Sequence, residues 1–168
     1  MAILNRKYGY LFLSEPYCAS RAVKSALAEQ DGSVVLDTWV HNSFPKLVQL
    51  GFLKYHEPVY KFSIIRNPLD YLVTKFHHLT GWHKNGFQSF LRAQSGTQFL
   101  HANDVDKTLR YEHLESQLNE LLESRGAPPV SLTVVGKTES KRPWQSYYMA
   151  DDIAVARAQV SDFRLYGY

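Results

Sequence analysis

Cysteine is nearly absent from the chain, with Cys18 standing alone. No disulfide can form within it, and a reducing, cytoplasmic setting is the expectation. Long apolar runs are missing as well. Nothing approaches the roughly 18–20 consecutive apolar residues that cross a bilayer as a helix. The opening MAILNRKYGYLFL has no small-residue cleavage site, so it reads as a first strand rather than a signal peptide. The expectation is a soluble protein with no membrane partner. Charge of one sign is missing too. Lys and Arg number 19 against 16 Asp and Glu, and no Lys/Arg-rich run concentrates the small excess. That excludes the strongly basic face of a nucleic-acid binder and suits a small anionic ligand. Repeats, low-complexity tracts and linkers are lacking. Finally, there is no glycine from Ser14 to Arg21, where the order of elements would favour one.

What is present suits one domain, residues 1–168, with a single core. Tyr8 to Leu13 reads as the first strand, and Arg21 to Gln30 as a helix with Ala22, Val23, Ala26 and Leu27 on one face. DGS is a turn and VVLDTWV a second strand. SFPKLVQLGF is a short helix with Ser43 as its cap and Pro45 in its first turn. VYKFSII is a third strand. Pro68 opens a helix in which Leu69, Leu72, Val73 and Phe76 recur at helical spacing. Gly81 to Asp106 is an irregular insertion holding a short helix at GFQSFLRAQ. TLRY is a fourth strand. EHLESQLNELLESRG is a leucine-striped helix stopped by Gly126, SLTVVG a fifth strand, and DDIAVARAQVSDF a last helix with acidic residues in its first turn. Alternating strands and helices predict an α/β fold with a parallel sheet, and ligands in such sheets sit at the carboxyl ends of strands.

Four post-strand segments therefore matter: Ser14 to Arg21, Val40 to Phe44, Arg66 to Pro68 and Tyr111 to His113. In the first, a strand, a loop and a helix follow one another. That layout aims backbone N–H groups and the positive end of a helix at one point. Cys18, Ala19 and Ser20 are small enough to serve where φ stays negative. Ser20 adds a hydroxyl and Arg21 a bidentate donor for an oxyanion. A Walker A pattern laid over Cys18 to Ser25 lacks both glycines and puts Lys24 and Ser25 inside the helix, which argues against an ordinary ATP or GTP loop. The plainer alternative is a βα turn in which Ser20 caps the helix and Arg21 is solvated.

In KFSIIRNPLDYLVTKFHH, Arg66 ends an apolar strand and Pro68 fixes the next helix. Thr74 lies seven residues after Asn67, two turns on and on the same face. A guanidinium and a hydroxyl so placed make a clamp for a second phosphate. The plainer alternative pairs Arg66 with Asp70.

This segment resembles the 3′-phosphate-binding segment of the sulfotransferases that use 3′-phosphoadenosine 5′-phosphosulfate (PAPS), in which a strand-end arginine and a serine eight residues later hold that phosphate. Arg66 and Thr74 have the same spacing, with threonine for serine. YLFLSEPYCASRAVKSAL is similar to the family's 5′-phosphosulfate loop, P-K-x-G-[GS]-[TR]-S before a helix, with Pro16 on the proline and Arg21 and Ala22 on the pair opening the helix. LRYEHLESQLNELL resembles the RYEDL segment, and the aromatic tail DF…GY resembles that of bacterial and Golgi-type members. Gly81 to Asp106 matches nothing. The resemblance implies a three-layer P-loop-like fold, a central parallel sheet flanked by helices, with PAPS as co-substrate, no metal, and a small-molecule or glycan acceptor. By the same resemblance Tyr17, Cys18, Ala19, Ser20, Arg21 and Ala22 contact the 5′ end and Arg66 and Thr74 the 3′-phosphate. Lys141 and Arg142 belong to the loop that closes over that phosphate and the adenine. The family's loop lysine falls on Tyr17, and its glycines fall on Cys18 and Ala19. The chain is short for the family, so the acceptor pocket is small or completed by a second copy in a homo-oligomer.

A hydroxyl acceptor needs a base. His41, His56, Glu57 and Glu15 are the candidates, and His41, just after the second strand, is preferred. Tyr17, Arg21 and His41 make up the expected catalytic set. Tyr17 donates only a neutral hydrogen bond where the family has a charge, a loss of about a hundredfold in rate unless Arg21 or Lys24 compensates. Alternatives are a binding protein for the nucleotide that has lost efficient chemistry, and a small P-loop kinase using Lys24 and Ser25. His77, His78 and His83 form a loose group whose side chains diverge, a poor metal site. Trp144 and Tyr111 read as core residues.

Overall fold

Apolar residues at nearly every position of the first two strands suit burial on both faces, and the chain begins with a hairpin of them. The computed structural model describes residues 1–36, 41–102, 104–135 and 141–168. Strand β1 (Ala2–Asn5) turns back through Gly9, at φ 68, into β2 (Tyr10–Leu13), antiparallel and in register from Asn5↔Tyr10 to Ala2↔Leu13. The expected first strand, Tyr8 to Leu13, thus begins at Tyr10 and follows β1, a strand the sequence reading did not separate, with Tyr8 and Gly9 in the turn. Asn5 locks it: its side chain accepts from the Tyr8 amide at 3.0 Å and donates to the Asp31 carbonyl and Ser33 hydroxyl at 3.0 and 2.9 Å.

The described residues fall into two compact units. The first, Met1–Ile65 with Leu100–Val135, holds a five-stranded sheet in the order β3-β1-β2-β4-β5, with β3 at Ser33–Leu36, β4 at Tyr60–Ile65 and β5 at Lys107–Arg110. β2, β4 and β5 run parallel; β1 is antiparallel to both its neighbours. The sheet is therefore mixed, where a parallel one was expected, because a tight hairpin between β1 and β2 forces antiparallel pairing. The expected fifth strand at SLTVVG is absent over residues 131–135, where Val134 is 85% exposed; β1 is the fifth strand instead. The last residues of VVLDTWV, 37–40, and residue 136 lie outside the described residues.

Period-two alternation puts Ala2, Leu4, Leu11, Leu13 and Leu36 on one face, with Leu47 of helix α2 (Phe44–Gln49) and Leu53. Ser43 is the N-cap of α2, without a side-chain cap bond, and Pro45 sits in its first turn. The other face carries Ile3, Tyr10, Phe12 and Phe62, all fully buried, with the Phe12 and Phe62 rings 5.3 Å apart. Helix α1 (Ser20–Ala28) packs on β1 and β3, and α5 (Leu114–Ser124) on β5. Leu114, Leu118, Leu121 and Leu122 are buried, the stripe the sequence shows.

The second unit, Arg66–Phe99 with Gly136–Tyr168, is helical. The stripe Leu69, Leu72 and Val73 of α3 (Pro68–His78) packs with Phe87, Phe90 and Leu91 of α4 (Gly86–Arg92) and with Ala156, Val160 and Phe163. Trp144 and Tyr148 pack against this core, as expected of Trp144. The insertion is thus ordered, as a 3₁₀ segment Thr80–Asn85 and α4. The expected last helix is two, α6 (Asp152–Gln159) and α7 (Asp162–Leu165). Val160 leaves helical geometry to form a bridge with Gly96. The buried Asp162 carboxylate then accepts from the Thr97 hydroxyl and Gln98 amide, both at 2.6 Å. Those bonds compensate its burial, which the continuous helix would have left uncompensated.

Candidate functional site

Helix α3 starts where β4 ends, and its start is well defined. Asn67 is the N-cap, its side chain accepting from the Leu69 amide at 2.9 Å, and Pro68 supplies the fixed φ of the first turn. One turn in, Asp70 projects beside Arg66, whose Nε donates to Asp70 Oδ2 at 2.7 Å. Thr74, one turn further, is 4% exposed, and Arg66 is 8% exposed. Lys141 reaches the same place: its Nζ is 2.5 Å from Asp70 Oδ1 and donates to Thr74 Oγ1 at 2.8 Å. Burial pulls the Lys141 ammonium below its usual pKa, while the bond to Asp70 acts the other way. Arg66, Thr74 and Lys141, which the resemblance marks for one phosphate, therefore meet around a single carboxylate, and the Arg66–Asp70 pair is the one the plainer sequence reading expects. Arg142 does not join them. It is exposed, and its guanidinium lies over the Tyr147 ring, 5.2 Å from the centroid. Residues 137–140 of KTESKRPW lie outside the described residues.

In the first unit, the loop after β2 winds through Tyr17 at φ 60 and Ala19 at φ 56. Ala19 is the N-cap of α1, in the left-handed region, and offers no side-chain cap. The expectation that small residues serve here at negative φ therefore fails at Ala19, and the plain turn with Ser20 as cap fails with it. The Ser20 hydroxyl instead donates to the Glu15 carbonyl across the loop. What Ser20, Arg21 and Ala22 present at the helix start is backbone N–H groups, which the first turn of a helix leaves without intrahelical partners. Cys18 is fully buried, backbone included. The Tyr17 phenol is held up in pKa by burial and stays neutral at physiological pH. Arg21 is exposed and shares a surface cleft of about 380 Å³ with Lys24, Ser25, Ala28, Glu29 and Val135.

Of the four candidate bases, His41 bonds to the start of this loop through its ring. Its Nδ1 lies 2.5 Å from the Ser14 carbonyl and 3.0 Å from the Ser14 hydroxyl. A carbonyl only accepts, so Nδ1 carries the proton and Nε2 of the neutral ring is the basic nitrogen. Burial lowers the His41 pKa, the Ser14 carbonyl opposing it. Glu15 is fully buried and accepts from the Leu100 amide at 2.7 Å and from the His101 amide. It fastens the residue 100–101 segment rather than facing solvent. Glu57 is bonded to Arg6 at 2.6 Å, and His56 is exposed.

Sequence reasoning passed over His101. It is 2% exposed, and neither ring nitrogen has a hydrogen-bond partner among the described residues. Burial, with His41 nearby, pulls its pKa down to about 4. It lies in the stretch that shows no periodicity, so no pattern marks it. The His77 and His83 rings meet edge to face with centroids 6.2 Å apart, and His77 shares a hydrogen bond with the Tyr147 hydroxyl at 2.7 Å. Among the described residues no three metal-binding side chains converge, and no helix is long and apolar enough to cross a membrane. Comparison with models of protein families, with curated proteins and with solved structures finds no match.

Proposed function

We propose that the protein is a PAPS-dependent sulfotransferase acting on a hydroxyl or amine of a small molecule or glycan. One observation carries the reading: the meeting of Arg66, Thr74 and Lys141, from a strand end, a helix face and a distant loop, around the one Asp70 carboxylate. A buried pair of cations with a hydroxyl suits a phosphomonoester better than any neutral group, because charge-assisted donors are strongest out of water. The reading gives this point the 3′-phosphate of the nucleotide.

The alternation of φ at Tyr17, Cys18 and Ala19 also supports it. Successive amides whose φ changes sign turn their N–H groups toward a common centre, the nest by which P-loop-like folds hold phosphate. The reading gives this loop the 5′ end, with Arg21 as its charged donor. His41 Nε2 accepts the proton from the acceptor hydroxyl as it attacks sulfur, and Nδ1, pinned to Ser14, holds the ring's tautomer. Bound PAPS supplies the sulfuryl group to be transferred.

Tyr17 favours a second reading, a protein that binds the nucleotide without efficient turnover. A neutral phenol stands where the family places a lysine, and burial keeps it neutral. Two measurements decide. In a thermal-shift panel, stabilisation by 3′,5′-ADP without magnesium is expected. A response to Mg-ATP alone would point to a kinase and end both readings. In an assay of labelled sulfate transfer from PAPS, the native protein is expected to be active, and Tyr17→Lys faster by roughly tenfold to a hundredfold. Activity that exists only in Tyr17→Lys selects the second reading.

A further inference from the structure

We propose that Tyr147 is an acylation site, a phenol nucleophile served by His77 as its base, which takes the acyl group of activated carboxylic esters. Neither residue has a part in the sulfuryl transfer proposed above.

The phenolic oxygen is held from two sides. His77 Nε2 lies 2.7 Å from it, and the Arg142 backbone amide donates to it at 3.2 Å. An amide N–H only donates, so the oxygen accepts there and has its own hydrogen for His77 Nε2. A nucleophile and a base within hydrogen-bond reach are the parts that covalent catalysis needs. The phenol ring is fixed as well. It meets the His77 ring edge to face with centroids 5.5 Å apart and the Phe87 ring with centroids 5.6 Å apart, and the Gln88 side chain donates to the Tyr147 carbonyl at 3.2 Å. The exposed Arg142 guanidinium stands 5.2 Å from the ring centroid, where it favours the negative charge that spreads over the ring as the proton leaves. Tyr147 and His77 are both half-buried, open to a small molecule and partly shielded from water.

Burial lowers the His77 pKa, and His83, Lys141, His78 and Arg142 add to the effect. The ring is therefore neutral at physiological pH, and its lone pair is available to the phenol.

In the step, the phenolic oxygen attacks the acyl carbon, its O–H bond breaks, and the proton passes to His77 Nε2. The leaving group departs with the electrons of its bond to the acyl carbon. The step runs forward only where that group is a weaker base than a phenolate, whose conjugate acid has a pKa of about 10. Aryl esters and thioesters meet this condition; alkyl esters and amides do not.

The test treats the full chain with p-nitrophenyl acetate between about pH 5 and 9 and maps the acetylated residues by mass spectrometry over time. Of the 11 tyrosines, Tyr147 should carry the acetyl group first. Tyr147→Phe, which keeps the ring contacts, should lose the matching burst of p-nitrophenol. The native labelling rate should rise through the His77 pKa, below the usual 6.5, and stay level from about pH 7 to 9. His77→Gln can still hydrogen-bond the phenol but cannot take its proton. Its rate should fall about a hundredfold at neutral pH and climb steadily toward about pH 10, as for a phenol without a base. Labelling no faster at Tyr147 than at other tyrosines, or a native profile without the level region, overturns the proposal. A His77→Gln rate equal to the native one does so too, and would leave the His77–Tyr147 bond as a latch for the 141–147 segment. Should His77→Gln not fold, the native pH profile decides alone.

Discussion

Ala19 sits at φ 56, ψ 20, where a Cβ crowds the following carbonyl. Replacing it with glycine relieves that strain but gives the unfolded chain more freedom, and the first effect is the larger. Ala19→Gly should stabilise the protein by about 0.5–1 kcal/mol, and Ala19→Val should destabilise it, both read from urea midpoints. A lower midpoint for the glycine variant would mean that Ala19 is unstrained. At His101 the effect is one of pH. The folded pKa of about 4 lies below the unfolded value of about 6.5, so the unfolded chain takes up the proton first as pH falls. The pH-dependent penalty is absent above pH 6.5, and stability drains away between 6.5 and 4. The full loss is about 3 kcal/mol. His101→Leu should flatten urea midpoints across that window; an unchanged slope would place the acid sensitivity elsewhere.

At the scale of elements, the opening hairpin depends on a polar anchor as much as on its apolar strands. Asn5 is fully buried and makes three hydrogen bonds that join the β1–β2 turn to Asp31 and to Ser33 at the start of β3. Asn5→Ala leaves the Tyr8 amide and the Asp31 carbonyl without those partners. It should cost about 2–4 kcal/mol, most of it the penalty for polar groups left unmet. Hydrogen exchange should show β1 and β3 opening first. A loss under about 1 kcal/mol would mean that water replaces the amide at little cost. The sequence shows α3 and α5 clearly, because each carries a stripe at helical spacing and a start or stop signal, Pro68 for one and Gly126 for the other. It does not show the break between α6 and α7, since residues 151–163 read as one helix. The break arises from Gly96 and Gln98, more than 60 residues away, which bridge Val160 and bond to Asp162.

For the whole molecule, the proposed function predicts linkage between ligand and fold. At a hundred times its Kd, 3′,5′-ADP should stabilise the chain by about 2.7 kcal/mol. Arg66→Ala should weaken that nucleotide by a hundredfold or so, the scale of a buried charge-assisted contact. It should barely change binding of adenosine 5′-phosphosulfate, which has no 3′-phosphate. Equal losses for the two ligands would contradict the assignment of Arg66.

The sequence by itself determined the α/β alternation and the helix stripes. These are matters of local period, spacing and side-chain type, which a chain carries before it folds. Tertiary structure alone decided the rest. It made the sheet mixed, because strand direction depends on which neighbours pair. It put Ala19 into left-handed geometry, because a loop must close between β2 and α1 whatever residue stands there. It brought Lys141 onto the carboxylate that Arg66 also holds, and it buried His101 without a partner among the described residues. Each of these turns on the burial of groups distant in sequence, and the free energy of burial belongs to the folded surroundings rather than to any residue alone.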